Sequence, residues 1–196
     1  MKNLLFLFIV VLSVGCKSGQ TSESAKMENT QNSSGNDLSG KISTKDLLAS
    51  PHREWFASGY ESYKPDAATI TKLKGLTNGI SVKVFIGTWC KDSHVQIPKF
   101  LKILHEAGFD EEDITLVAMD RKKTTVENLE SGLNIEKVPT FIFYKTTISG
   151  GRRNSSEKRV EKTKELNRIV ESPQETLEAD MYKILSNQSY KPRFAK

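Results

Sequence analysis

Residues 82–98 read VKVFIGTWCKDSHVQIP, and the change of pattern inside this stretch decides the fold. Val82, Val84, Phe85 and Ile86 form a short apolar run rich in β-branched and aromatic residues, as a strand covered on both faces requires. Gly87 and Thr88 end it. From Ser93 onward Val95, Ile97, Phe100, Leu101, Ile103 and Leu104 return at helical spacing. The pattern therefore predicts a helix ending near Gly108 and leaves residues 89–92 as the strand-to-helix turn. Cys90 falls at or just before the first helical turn, beside unpaired backbone N–H groups and the positive end of the helix dipole, both of which favour a thiolate. The thiolate is the nucleophile of thiol–disulfide exchange, so position alone argues for reactivity. Against it stands the plainer reading of a lone cysteine as a small buried hydrophobe.

The run Trp89-Cys90-Lys91-Asp92-Ser93 resembles the active-site turn of thioredoxins, Trp-Cys-x-x-Cys, with serine where the second cysteine stands. Pro98 falls where thioredoxins carry the proline of the active-site helix. Val138-Pro139-Thr140, followed by Phe141-Ile142-Phe143-Tyr144, resembles their cis-proline loop and the strand after it. The resemblance covers about residues 79–187, and the likeness is closer to bacterial exported thioredoxin-like proteins with a Trp-Cys-x-Asp-Ser motif and a helical N-terminal extension. It implies an α/β fold: a thioredoxin-like mixed central sheet flanked by helices. Residues 41–78 would be the helical extension and 79–196 the thioredoxin-like domain. It also implies Cys90 as the catalytic thiol and Trp89, Lys91, Asp92, Ser93 and His94 as the rest of the active-site motif. Val138, Pro139 and Thr140 would bind an extended substrate.

Ser93 is the decisive departure. A serine hydroxyl is too weak a nucleophile to displace a thiolate, so this chain cannot resolve its own mixed disulfide. Single-thiol exchange remains, isomerase-like or reductase-like, with the second thiol coming from the substrate or from an external glutathione-like reductant. A thioredoxin-fold binding module that keeps the Pro139 groove without redox turnover is the alternative, since fold alone does not assign function. Asp92 suits a helix start, yet as a like charge it opposes a thiolate. His94, one turn beyond Cys90, could stabilise a thiolate when protonated or pass protons, against the plainer reading of a solvent-facing helical histidine. Cys90, Asp92 and His94 match no zinc spacing and lack an evident fourth ligand, so no metal and no cofactor are expected. His52 and His105 receive no role.

Outward from this core, the chain of 196 residues is long enough for one compact domain with additions. Residues 4–12, nine apolar residues after Lys2, are too short to span a bilayer and read as the core of a signal peptide over residues 1–15. Ser13-Val14-Gly15-Cys16 resembles a bacterial lipoprotein cleavage site, with Ser13 where leucine is typical, so ordinary signal cleavage is the alternative to lipidation at Cys16. If Cys16 is acylated, Cys90 is the remaining thiol of the two cysteines and no internal disulfide can form. The expected setting is the bacterial cell envelope, lipid-anchored and facing the periplasm or the outer surface. The expected partners are exported protein thiols or disulfides, or small disulfides. Residues 16–40 are polar and read as a flexible tether with a reach of about 25–30 Å.

The extension reads as three short helices: one capped by Ser43, one opened by Pro51 that carries Trp55, Phe56 and Tyr60, and one from about Asp66 to Leu73. Beyond Gly108, residues 114–119 read as a second central strand and residues 124–133 as a helix. Residues 141–144 and 168–170 read as antiparallel strands, and residues 174–185 as a last helix opened by Pro173. The insertion 145–166 carries seven basic side chains against three acidic ones, a net +4 within a chain of +5. It reads as a solvated extended hairpin, or as a patch for an acidic partner or lipid headgroups. The chain holds no phosphate-cradling glycine loop, no supportable Ser–His–Asp set and no aromatic-interleaved basic motif, so nucleic acid is not an expected partner.

Overall fold

The computed structural model describes residues 35–149 and 160–194. The signal peptide, Cys16 and most of the tether lie outside the described residues, as do Arg152, Arg153, Lys158 and Arg159 of the insertion. In chain order the elements are β1 (Gly40–Ile42), α1 (Thr44–Leu47), α2 (Arg53–Ser62), α3 (Ala67–Lys74), β2 (Ile80–Ile86), α4 (Lys91–Ala107), β3 (Ile114–Ala118), β4 (Thr140–Ser149), β5 (Val160–Val170) and α5 (Leu177–Leu185). A 3-10 turn, Glu111–Asp113, leads into β3.

The strands form one mixed sheet in the order β1-β3-β2-β4-β5. The central strand β2 runs parallel to β3 and antiparallel to β4, and β5 and β1 close the two edges antiparallel to their neighbours. This is the thioredoxin-like mixed sheet flanked by helices that the sequence implied. Alternation along β2 and β3 divides the core between the two faces. Val84, Ile86 and Leu116 join Ile97, Phe100 and Leu104 of α4 in the larger cluster. Phe85, Val117, Met119, Val138 and Ile142 form a smaller one, against which Trp89 and Cys90 pack. Phe100 lies on Phe141 with ring centroids 4.2 Å apart, and burying each such side chain is worth about 1.5–3 kcal/mol. Gly108 ends α4 at φ 80°, the left-handed conformation that glycine adopts without penalty.

The extension is fitted to α4. Gly59 of α2 faces Pro98, where a Cβ would come within 2.9 Å of the proline Cγ, so glycine is what allows the close approach. Further along, the Glu178 carboxylate of α5 accepts from the Tyr63 hydroxyl (2.7 Å) and from Asp66 N–H (3.1 Å). Burial, together with that carboxylate, holds the Tyr63 phenol well above its ordinary range. Asp66 caps α3 by accepting from Thr69 N–H.

Four expectations require correction. Residues 124–133 form turns, not a helix. Asp120 accepts from Lys122 N–H, Thr124 N–H and the Thr124 hydroxyl, while Thr125 bonds both Leu129 N–H and Glu130. Such side-chain bonds to nearby backbone compete with the helical ladder, and Lys123, Asn128 and Gly132 take positive φ. The tether does not extend to residue 40, because Leu38 and Ser39 are buried and Gly40 begins a strand paired to β3. Strands β4 and β5 far outrun residues 141–144 and 168–170, so much of the insertion 145–166 is the two-stranded ribbon itself. Finally, α5 begins at Leu177, where Thr176 accepts from Ala179 N–H, because Asp180 instead bonds the backbone N–H groups of Gln174 and Glu175.

Candidate functional site

The polypeptide leaves the sheet at Ile86 and enters α4 at Lys91, and the intervening turn is held by hydrogen bonds at every residue. Gly87 N–H donates to the Ser93 hydroxyl oxygen (3.1 Å), with Ser93 fully buried. Serine at the second-cysteine position thus braces the turn from within the first coil of the helix. The Thr88 hydroxyl oxygen accepts from Leu38 N–H (3.0 Å), and the Thr88 carbonyl lies 2.6 Å from His94 Nε2. Trp89 Nε1 donates to the Met119 carbonyl (2.9 Å). Its indole lies so close to Gly87 that a Cβ there would stand 2.8 Å from the ring.

Cys90 is the N-cap residue of α4, with φ −95° and ψ 124°, and it is half-buried. Its N–H donates to the Gly87 carbonyl (2.9 Å) and its carbonyl accepts from His94 N–H (3.1 Å). The thiol donates to the Val138 carbonyl at 3.3 Å. The Val138–Pro139 peptide is cis, and the Pro139 carbonyl accepts from Glu171 N–H (2.7 Å), which ties the loop to the end of β5. The motif and the proline loop, separated by about fifty residues in sequence, therefore meet at one sulfur.

Residues 47–184 match the sequence profile of the family described as Thioredoxin, more than half of the chain. The chain belongs to the thioredoxin family. The match takes in α2 and α3, so these helices of the extension lie within the family region and not outside it. No curated protein matches this thioredoxin-family chain in sequence. A crystal structure at 1.5 Å of a protein of unknown function from Pseudomonas aeruginosa is similar at 15% identity, covering 71% of this chain and 82% of that one with a TM-score of 0.43.

Of the residues singled out from sequence, Trp89, Cys90, Ser93, His94, Val138 and Pro139 meet at the β2–α4 turn and the proline loop. Lys91 and Asp92 are exposed on the first turn of α4 and make no contact with the proline loop in the hydrogen bonds or ion pairs described. Thr140 does not reach the surface: it is 2% exposed, opens β4, and its hydroxyl donates to the Lys137 carbonyl. His94 is half-buried and not wholly solvent-facing. Its ring stacks on Trp55 of α2, centroids 4.3 Å apart and 12° from parallel. Among the described residues no group of three or more His, Cys, Asp or Glu side chains is placed to hold a metal ion.

Several residues of the site carried no signal in the sequence. Arg121 lies over the Trp89 ring at 5.4 Å and pairs with Asp37 at 3.5 Å, so the segment entering β1 reaches the β2–α4 turn twice, through Asp37 by way of Arg121 and through Leu38 directly. His52, at the start of α2, meets Trp55 edge-on at 6.3 Å. Burial pushes its imidazole below the ordinary histidine range and nearby His94 adds to this, against the Asn36 backbone and Asp37, which pull upward. A hydrophobic residue and a backbone N–H before β1 have no motif by which sequence could assign them here.

Proposed function

We propose that this protein exchanges disulfides through Cys90 alone. The observation that carries the reading is the half-buried Cys90 sulfur at the entry of α4, 3.3 Å from the Val138 carbonyl and beside cis-Pro139. In the first step the Cys90 thiolate attacks one sulfur of a substrate disulfide. A Cys90–substrate disulfide forms and the other substrate sulfur leaves as a thiolate. If a different substrate thiolate attacks the substrate sulfur of the mixed disulfide, Cys90 is released and the substrate has been isomerised, whereas return of the first thiolate only restores the starting disulfide. If an external thiol attacks at the Cys90 sulfur, the substrate leaves with both sulfurs reduced. A second external thiol then frees Cys90, and two reductant thiols have become one disulfide. Ser93 supplies no resolving thiol, and its oxygen is already engaged by Gly87 N–H.

The setting proposed is the bacterial cell envelope, with exported protein disulfides or small disulfides as substrates and a lipid on Cys16 as the anchor. Residues 1–16 support it by their charge, apolar core and cysteine. No helix among the described residues is long and apolar enough to cross a membrane.

Acid-quenched, alkylated envelopes from cells expressing wild-type protein and Cys90→Ser test the chemistry. Expected are protein-sized mixed disulfides with the wild type and none with the variant. Equal partner recovery with both would replace exchange by a binding role in the same groove. Cys16→Ala is expected to move the protein out of the membrane fraction, and unchanged sedimentation would remove the anchor.

A further inference from the structure

The Thr88 carbonyl and the His94 side chain bracket the thiol in sequence, two residues before Cys90 and four after it. A carbonyl oxygen only accepts, so at 2.6 Å the Nε2 of His94 carries the hydrogen and donates it. The imidazole is thus a strut from the first coil of α4 back to the loop that presents Cys90, beside the Gly87–Ser93 bond that spans the same turn. Its freedom to swing away is removed by Trp55, whose indole lies flat on the ring at 4.3 Å. Trp55 can sit there because α2 approaches α4 at Gly59 and Pro98, where a side chain on residue 59 would collide at 2.9 Å. His52 backs the indole edge-on. The same Thr88 is held from its other polar atom by Leu38 N–H, so a residue before β1 and one in α4 converge on one residue of the turn.

We propose that His94 is a positioning residue for Cys90, and that Trp55 of the N-terminal extension is what keeps His94 in place. The inference rests on Cys90 acting as an exchanging thiol. In a merely packed region an apolar side chain at position 94 would fill the same space against Trp55. What histidine adds is a donor for a carbonyl two residues from the reactive sulfur. Losing it frees the turn to rotate the sulfur away from Val138 and Pro139 without opening the core beneath.

The test is the second-order rate of Cys90 with oxidised glutathione, read beside the thermal midpoint, for wild type, H94F, H94Q, W55A and W55F. Phenylalanine keeps the stack and loses the donor, whereas glutamine keeps a donor within reach of Thr88. H94F is expected to slow the reaction about tenfold, the rate equivalent of one lost hydrogen bond. H94Q is expected to stay within about threefold of wild type, a rescue that a purely structural role would not produce. W55A should fall toward H94F and W55F toward wild type, and this pair carries the same test if H94F does not fold. H94F or W55A reacting within about twofold of wild type overturns the proposal, as does an equal loss in H94F and H94Q that follows the thermal midpoint. Wild-type protein reacting no faster than a free cysteine peptide overturns the proposal together with the exchange reading. The variant comparison alone, failing with a reactive wild type, overturns only the role of His94.

Discussion

The β4–β5 hairpin passes through two physical regimes along its own length. At its base, Thr140 and Val170 lie in register beside β2, under the Val138–Pro139 loop that faces Cys90. At its far end the strands outrun the sheet. Ile80 of β2 pairs with Lys145, Thr146 N–H reaches Gly79, and beyond that the described residues 147–149 pair only with 160–162. Near the base, the neighbouring β2–α4 turn is pinned by Leu38, Ser93, His94 and Met119, drawn from three different parts of the chain. At the ribbon the side-chain bonds are exposed, a Thr146–Thr163 hydroxyl pair at 2.9 Å and Thr147 to the Lys162 carbonyl at 3.3 Å. Bonds around a buried group hold a geometry. Bonds in water hold little more than the backbone that makes them.

Ser93→Ala should sharpen this contrast most. It strands the buried Gly87 N–H, which costs about 1–3 kcal/mol in urea unfolding, because a desolvated donor without a partner loses its full hydration. A cost below about 0.5 kcal/mol would mean the turn relaxes as freely as the ribbon, and the contrast would fail.

The next effect is on pH dependence. Burial lowers the His52 pKa, so in the folded chain it lies below that of the unfolded chain, near 6.5. As pH falls below that value the unfolded state takes up a proton that the folded state refuses, and stability falls with it. The loss levels off only once the pH has passed below the folded pKa. Unfolding curves at pH 7.5 and at pH 5.5 should therefore diverge more for wild type than for His52→Asn. Equal divergence in both proteins would show that the N-terminal extension does not bury this imidazole in solution.

Thr163→Ala should do least, shifting stability by no more than about 0.5 kcal/mol, since both ends of its hydroxyl bond are exposed. A loss above about 1 kcal/mol would show that the ribbon is covered in solution.

Sequence and structure agree where the signal is a period. The apolar rows of β2 and α4 were legible because a side chain's direction depends only on its place along its own element, and Cys90 at their junction followed from that. The helix expected over 124–133 failed because Asp120 and Thr125 bond backbone groups within a few residues, a choice invisible to hydrophobic spacing. The ribbon was underestimated for a related reason. Its threonines, lysines and glutamates alternate without an apolar face, and a two-sided polar strand leaves no pattern to count.

From sequence alone came the family likeness, the thiol at the mouth of a helix, the absence of a resolving cysteine and the proline loop. The folded chain alone decided that Ser93 is a brace, that Thr140 turns inward, and that the chain before β2 reaches the site through Asp37, Leu38 and Trp55. Those contacts join residues such as Leu38 and Thr88, fifty positions apart, or Cys90 and Val138, forty-eight apart. No local preference of either partner encodes such a meeting. It exists because the sheet and α4, once packed, bring the two surfaces to a common place.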